Sequence, residues 1–304
     1  MGLNVFVRNF NICIVEKERG DVFSTKGKVV LDLKSCTSLF AANAPSILAD
    51  PFLFIHNGEL YLFYEHQDKW VGGKGRICMR KTKDLQVWSQ EFNVLEEPFH
   101  LSFPNIFEED GKIYMLPETG GGNFVGLYEP ISEDLTKWKR CSVLIDDSSK
   151  WYDSTICKVG DYYYLFTGHD NEIEQVQHLF VSSRIDGPYK EHPMSPIAIG
   201  RDRGRNAGQV FFYNGSYYRP VQVCDNSYGE QVNIMRIDEI SPTDYKESLF
   251  LRNVIDDNNS LFNDGGHQFH QVEFNDHLVL ALDYRVKNYN LIELYRKTIK
   301  RFVK

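Results

Sequence analysis

Asp50-Pro51-Phe52-Leu53-Phe54-Ile55-His56-Asn57-Gly58-Glu59-Leu60-Tyr61-Leu62-Phe63-Tyr64-Glu65 is two apolar runs joined through His-Asn-Gly. Asn-Gly between such runs is the strongest short-range hairpin signal, because both residues accept the positive φ of a tight turn. The pattern returns around Asp110-Gly111 (103–118), Gly160-Asp161 (152–167) and Asn214-Gly215 (206–222), and more weakly around Asn275-Asp276 (267–283). Aligning Leu60, Ile113, Tyr162, Tyr217 and Leu278 gives steps of 53, 49, 55 and 61 residues. An all-β repeat of about 50 residues implies a propeller with one four-stranded blade per copy.

A second repeated element supports that reading. Asp84-Leu85-Gln86-Val87-Trp88 and Asp134-Leu135-Thr136-Lys137-Trp138 share Asp-Leu-x-x-Trp, and Asp186-Gly187-Pro188-Tyr189 is their relative in the third copy. These are turns into outer strands, with the aromatic packing between blades. No stretch keeps a 3.6-residue apolar period and no low-complexity linker divides the chain. The expectation is an all-β chain folded as a single five-bladed β-propeller over 1–304. The segment 1–45 and the tail after Asp283 would close the ring.

Composition narrows the function. The 304 residues are 42% hydrophobic, 25% charged and 14% aromatic, with a formal charge of -8. Such a chain buries a real core and carries the wrong sign for a non-specific nucleic-acid binder. No apolar run approaches the ~20 residues of a membrane span. The first eight residues lack a basic-then-apolar export signal, so a cytoplasmic location is expected. Six scattered cysteines (Cys13, Cys36, Cys78, Cys141, Cys157, Cys224) then read as reduced thiols. The sequons at Asn214 and Asn258 carry no meaning in that compartment.

Repeat offsets gather polar residues at one end of the hairpins. The second-strand position reads Glu65, Glu118, Thr167, Gln222 and Asp283. The first-strand position reads Asp50, Asn105, Asp153, Asn206 and His267, with one or two residues of slippage. Together they predict a ligand site at one mouth of a central channel. Carboxylates crowded there would raise one another's pKa values, as acid/base chemistry requires.

These residues resemble the five-bladed propellers of glycoside hydrolase family 43. From about 45 to 250 the chain is more closely similar to the N-terminal propeller domain of glucosamine inositolphosphorylceramide transferase and its bacterial surface-polysaccharide relatives. The motifs are Asp50-Pro51-Phe52-Leu53-Phe54, Tyr114-Met115-Leu116-Pro117-Glu118, Trp151-Tyr152-Asp153, Glu191-His192-Pro193 and Tyr218-Arg219-Pro220-Val221-Gln222. The resemblance implies a general base at Asp50, an orienting second acid at Asp153, and a channel histidine at His267 that can approach a cation through water. The family's acid position falls on Asn206, whose amide donates no proton to a leaving oxygen at neutral pH. Glu118, facing across the channel, is the substitute on chemical grounds rather than by the resemblance.

The catalytic set read this way is Asp50, Asp153 and Glu118. The substrate-binding set is Glu65, Asn105, Arg205, Asn206, Gln222, His267 and Asp283, with no resident metal or cofactor expected. Arg201, Arg203 and Arg205 together could clamp a phosphate or an acidic sugar, or form a solvated loop. Gly72-Gly73-Lys74-Gly75 and Gly120-Gly121-Gly122 fit no phosphate loop and read as hairpin tips. The basic tail 296–304 could touch an anionic surface, with a solvated terminus the plainer reading. Two functions remain. One is a carbohydrate-active protein that hydrolyses or transfers a glycosyl unit in intracellular surface-polysaccharide or glycolipid assembly. The other is a non-catalytic module that binds a glycan or nucleotide sugar beside a glycosyltransferase. Asn206 and the lack of an export signal favour the second; a protein-interaction propeller lacks its Gly-His and Trp-Asp signatures.

Overall fold

Strands such as Leu60-Tyr61-Leu62-Phe63-Tyr64 are apolar on both faces, so a sheet built from them must be covered on both sides. The computed structural model shows how, and describes residues 7–35, 45–68, 73–170, 174–256 and 259–288. Cys36, Gly72, Asn258 and the basic tail lie outside the described residues. The chain forms five antiparallel sheets, four of four strands and one with a fifth short strand, and no α-helix occurs among the described residues.

Alternation along one strand feeds two seams. Tyr61 and Phe63 join Phe103 and Met115 in a cluster between blades 1 and 2. Leu60, Leu62 and Tyr64 turn the other way, onto Ile12, Ile14 and Val279 of blade 5. Three further clusters fill the seams between blades 2 and 3, 3 and 4, and 4 and 5. Five blades joined by five seams make a closed ring, and the core lies between sheets rather than under one. The ring is shut within blade 5, where Val7–Lys17 pairs with His277–Asn288 over eleven residue pairs. First and last strands therefore share one sheet, as expected.

The Asp-Leu-x-x-Trp turns are built on left-handed leucines. Leu85 and Leu135 have φ of 63° and 58°. Asp84 Oδ1 accepts the N–H groups of Gln86 and Val87 at 2.9 Å, and Asp134 Oδ1 that of Thr136 at 3.1 Å. Such Asx turns reverse the chain locally. Trp138 opens the outer strand Trp138–Ile145 and packs into the seam between blades 1 and 2. Gly120–Gly122 is a single 3-10 turn between the second and third strands of blade 2.

Polar bonds seal each seam near the channel axis. Asp50 accepts from Phe103, Asn105 donates to Thr155, Asn206 donates to the Asp153 carbonyl, Phe269 donates to the Ala207 carbonyl, and Asp50 donates to Asp283. From donor to acceptor they run from blade 2 to 1, 2 to 3, 4 to 3, 5 to 4 and 1 to 5.

Candidate functional site

The inner strands of blades 1, 2 and 3 each carry one residue too many for their partner. The ladder jumps between Ala49 and Phe52, Ser102 and Asn105, and Tyr152 and Thr155. The first residue of each bulge is left-handed, with φ of 52° at Asp50, 46° at Phe103 and 47° at Asp153. That conformation costs a non-glycine residue on the order of 1–3 kcal/mol and gathers where structure serves a site. Here it re-aims two carboxylates at the channel mouth.

Asp50 links three blades. Its N–H donates to Asp283 Oδ2 at 3.2 Å, its Oδ2 accepts the N–H of Phe103 at 3.1 Å, and its Oδ1 faces His267 Nε2 at 3.4 Å. The other ring nitrogen of His267 lies 2.6 Å from Asp283 Oδ2. Burial pushes Asp50 up to about 7, with His267 pulling against it and Asp153 and Asp283 adding to it. Burial works to lower His267, yet Asp283 and Asp50 hold it above its ordinary value. The donor atoms of Asp50, His267 and Asp283 lie within 4.8 Å of one another. Each ring nitrogen of His267 faces a carboxylate, so an imidazolium balances the set in charge.

Across the mouth, Arg205 donates from Nε to Asp153 and lies 3.7 Å through Nη2 from Glu118 Oε2. Gln222 Nε2 donates to Asp153 Oδ2 at 2.9 Å. The Arg205 guanidinium sits between two rings, 4.2 Å from the centroid of Tyr152 and 5.2 Å from that of Tyr228. Burial and the neighbouring Asp153 push Glu118 up to about 8 against the pull of Arg205. Glu65 is held well above the usual carboxylate range by burial, Asp50 and Glu118; His100 Nε2 lies 3.5 Å from it.

Eight of the expected residues therefore meet: Asp50, Glu65, Glu118, Asp153, Arg205, Gln222, His267 and Asp283. Others do not. In blade 2 the structural counterpart of Asp50 is Phe103, because the bulge sits two residues before Asn105. Asn105 is fully buried and donates to Thr155 across a seam at 3.1 Å. In blade 3 the pairing of Tyr152 with Gly168 makes Gly168, not Thr167, the counterpart of Glu65 and Glu118. Thr167 instead bonds Ser154 Oγ at 2.8 Å. Asn206 uses both amide ends on protein, donating to the carbonyls of Asp153 and Phe166 at 2.7 and 3.2 Å and accepting from Arg219 at 3.1 Å. The three arginines separate: Arg201 binds the Cys224 carbonyl, Arg203 pairs with Asp202, and only Arg205 enters the mouth.

Tyr152, Tyr228, His100 and Gly168 escaped the repeat analysis as site residues. Tyr152 was visible inside Trp151-Tyr152-Asp153, but its role depends on Gly168, where a Cβ would lie 1.9 Å from Tyr152 Cε2. Tyr228 stands in the connection between Ser216–Val223 and Gln231–Ile240, outside the aligned hairpin of blade 4. Beside the carboxylates opens a cleft of about 690 Å³ lined by His100, Glu118, Gly120, Trp151, Tyr152 and His169. That volume lies in the usual range of small-molecule sites, about 300–1,000 Å³. A second cavity of about 450 Å³, at the hairpin-turn end of the channel around Leu53, Gln209 and His270, holds none of these carboxylates.

Comparison with known proteins agrees with this architecture. The α-L-arabinofuranosidase from Podospora anserina, solved with cellotriose, superposes with a TM-score of 0.61 at 10% identity, over 82% of this chain and 93% of that one. A thermostable family-43 glycoside hydrolase gives 0.53 at 18% identity, over 75% and 81%. These likenesses show the fold. "Glucosamine inositolphosphorylceramide transferase 1" of Arabidopsis thaliana is 33% identical over 221 residues, 70% of this chain. The chain spans 28% of that relative's length. Residues 16–278 match the family model described as Glucosamine inositolphosphorylceramide transferase 1, N-terminal, and the chain belongs to that family.

Proposed function

We propose that the channel mouth binds a glycan or sugar donor and moves a glycosyl unit by acid/base chemistry, in assembly of a surface polysaccharide or glycolipid on the cytoplasmic side. The observation that carries this reading is the pair Glu118, partly exposed to the cleft, and Asp50, buried, on adjacent blades and held up to about 8 and about 7. At neutral pH Glu118 keeps the proton that a leaving oxygen needs, and Asp50 can take one from water or an acceptor hydroxyl. Asp153, held by Arg205 and Gln222, raises Glu118 and orients the sugar. Tyr152 and Tyr228 offer ring faces beside the cleft.

A non-catalytic reading has its own support. Asn206 stands at the hydrolases' acid position and is consumed by structural bonds, and this chain spans only 28% of the Arabidopsis relative's length. On that reading the propeller presents a sugar to a glycosyltransferase domain or partner.

A binding screen over glycans and nucleotide sugars, followed by turnover assays on the hits, separates the two. Glu118→Gln should cut turnover of natural substrates by on the order of 10²–10⁴-fold. Activated aryl glycosides, whose leaving groups need no proton, should be spared. Equal losses on both substrates would remove Glu118 as acid, and binding without turnover by the unmutated protein would leave the binding module.

A further inference from the structure

On the blade-1 side of its seam with blade 5, on the strand face opposite Glu65, lies a second cluster. His66 is on the second strand, Glu59–Asp68, and Cys78 on the third, Gly75–Thr82. Glu91 immediately precedes the outer strand Phe92–Leu95. One donor atom from each of His66, Cys78 and Glu91 lies within 4.8 Å of the others. His66 and Cys78 are buried, whereas the Glu91 side chain keeps 26% of its surface exposed and leaves an approach from solvent.

His66 Nδ1 is buried with no hydrogen bond, although Glu91 Oε1 is 2.9 Å away. That neighbour is itself one of the three side chains, so the polar surroundings of this nitrogen lie within the cluster. The surrounding bonds are those that orient metal ligands. His66 Nε2 is 3.0 Å from Asp68 Oδ1, which fixes the ring, and Asp68 is in turn held by Arg76. Glu91 Oε2 accepts from Tyr64 Oη at 2.6 Å, leaving Oε1 for the centre.

We infer that His66, Cys78 and Glu91 form a three-ligand site for a zinc-class divalent cation, with water as fourth ligand. Imidazole, thiolate and one carboxylate select zinc or cobalt over calcium or magnesium, which take oxygen ligands. Thiolate and carboxylate together neutralise the ion, while Asp68 and Arg76 balance each other. Binding releases the Cys78 thiol proton to solvent, so affinity rises with pH. The ion ties the Glu91 connection to the two strands beside it. No motif spacing announces the site, because its ligands come from two neighbouring strands and the connection before a third, 12 and 13 residues apart.

Cobalt(II) tests this on the full chain, since a cysteine ligand gives an intense thiolate-to-cobalt absorption. Cys224 Sγ lies 3.9 Å from Gln222 Oε1 beside the mouth, so the Cys78→Ser variant is what assigns the band to this cluster. The expected result is one equivalent of cobalt producing that band, displaced by one equivalent of zinc, with zinc also raising the melting temperature. Cys78→Ser should abolish the band. Asp68→Asn should keep it but weaken affinity by about 10–100-fold, the usual effect of losing a partner behind a ligand. Absence of the band in the unmutated protein, which requires no variant to fold, overturns the inference. So does a band that survives in Cys78→Ser.

Discussion

Asp50 carries two duties that one substitution separates. Its carboxyl accepts the Phe103 N–H in a seam and faces His267 at the mouth. With Asp50 pushed up to about 7, the neutral acid is well populated near neutrality, and asparagine has the same shape as that form. Asp50→Asn should therefore keep the seam bond and melt close to the parent. Measured above pH 7, where the carboxylate dominates, ligand affinity should fall by at least ~1.5 kcal/mol, the lower range for a hydrogen bond to a charged group. Parallel melting and binding measurements check this, and intact binding would remove Asp50 from the site. Asp50 and Asp153 were legible because each opens a repeated hairpin. His100 and Tyr228 were not, because they reach the mouth from connections that no repeat aligns.

At the scale of elements, the bulged inner strands decide which side chains meet. The hairpin pattern located five turns correctly, but it counts residues from the turn and cannot register an extra one in the strand. Asn105 was thus aligned with Asp50, although Phe103 holds that backbone geometry at φ 46°. Gly168 marks the opposite case, a position whose value is its missing side chain. Gly168→Ala would drive a Cβ to 1.9 Å from Tyr152 and displace the ring lying against Arg205. We expect about 1–3 kcal/mol of lost stability, typical of overpacking, together with weaker ligand binding. Urea unfolding beside a binding assay reads both; an unchanged midpoint would show that Tyr152 moves freely.

Across the whole molecule, the mouth couples folding to pH. Asp50 and Glu118 are raised from 3.8 and 4.5 to about 7 and about 8, so the folded chain holds protons there that the unfolded chain releases. Raised pKa values give stability that is complete below the unfolded values and lost as pH climbs through the folded ones. His267, also raised, acts in the same direction. The melting temperature should fall between about pH 4 and pH 8, and Glu118→Gln, unable to lose that proton, should make the fall shallower. A flat profile would show the mouth already relaxed by water or ions. What the sequence determined by itself is the ring: two-faced apolar strands must be covered on both sides, and five such hairpins at a near-constant period leave a closed propeller as their solution. What only the tertiary structure decided is the chemistry at its centre. Three bulges, one missing side chain and an arginine between two rings bring residues from all five blades within reach of one another. Burial then sets which carboxyl keeps its proton, and burial belongs to the assembled molecule, not to any stretch of chain.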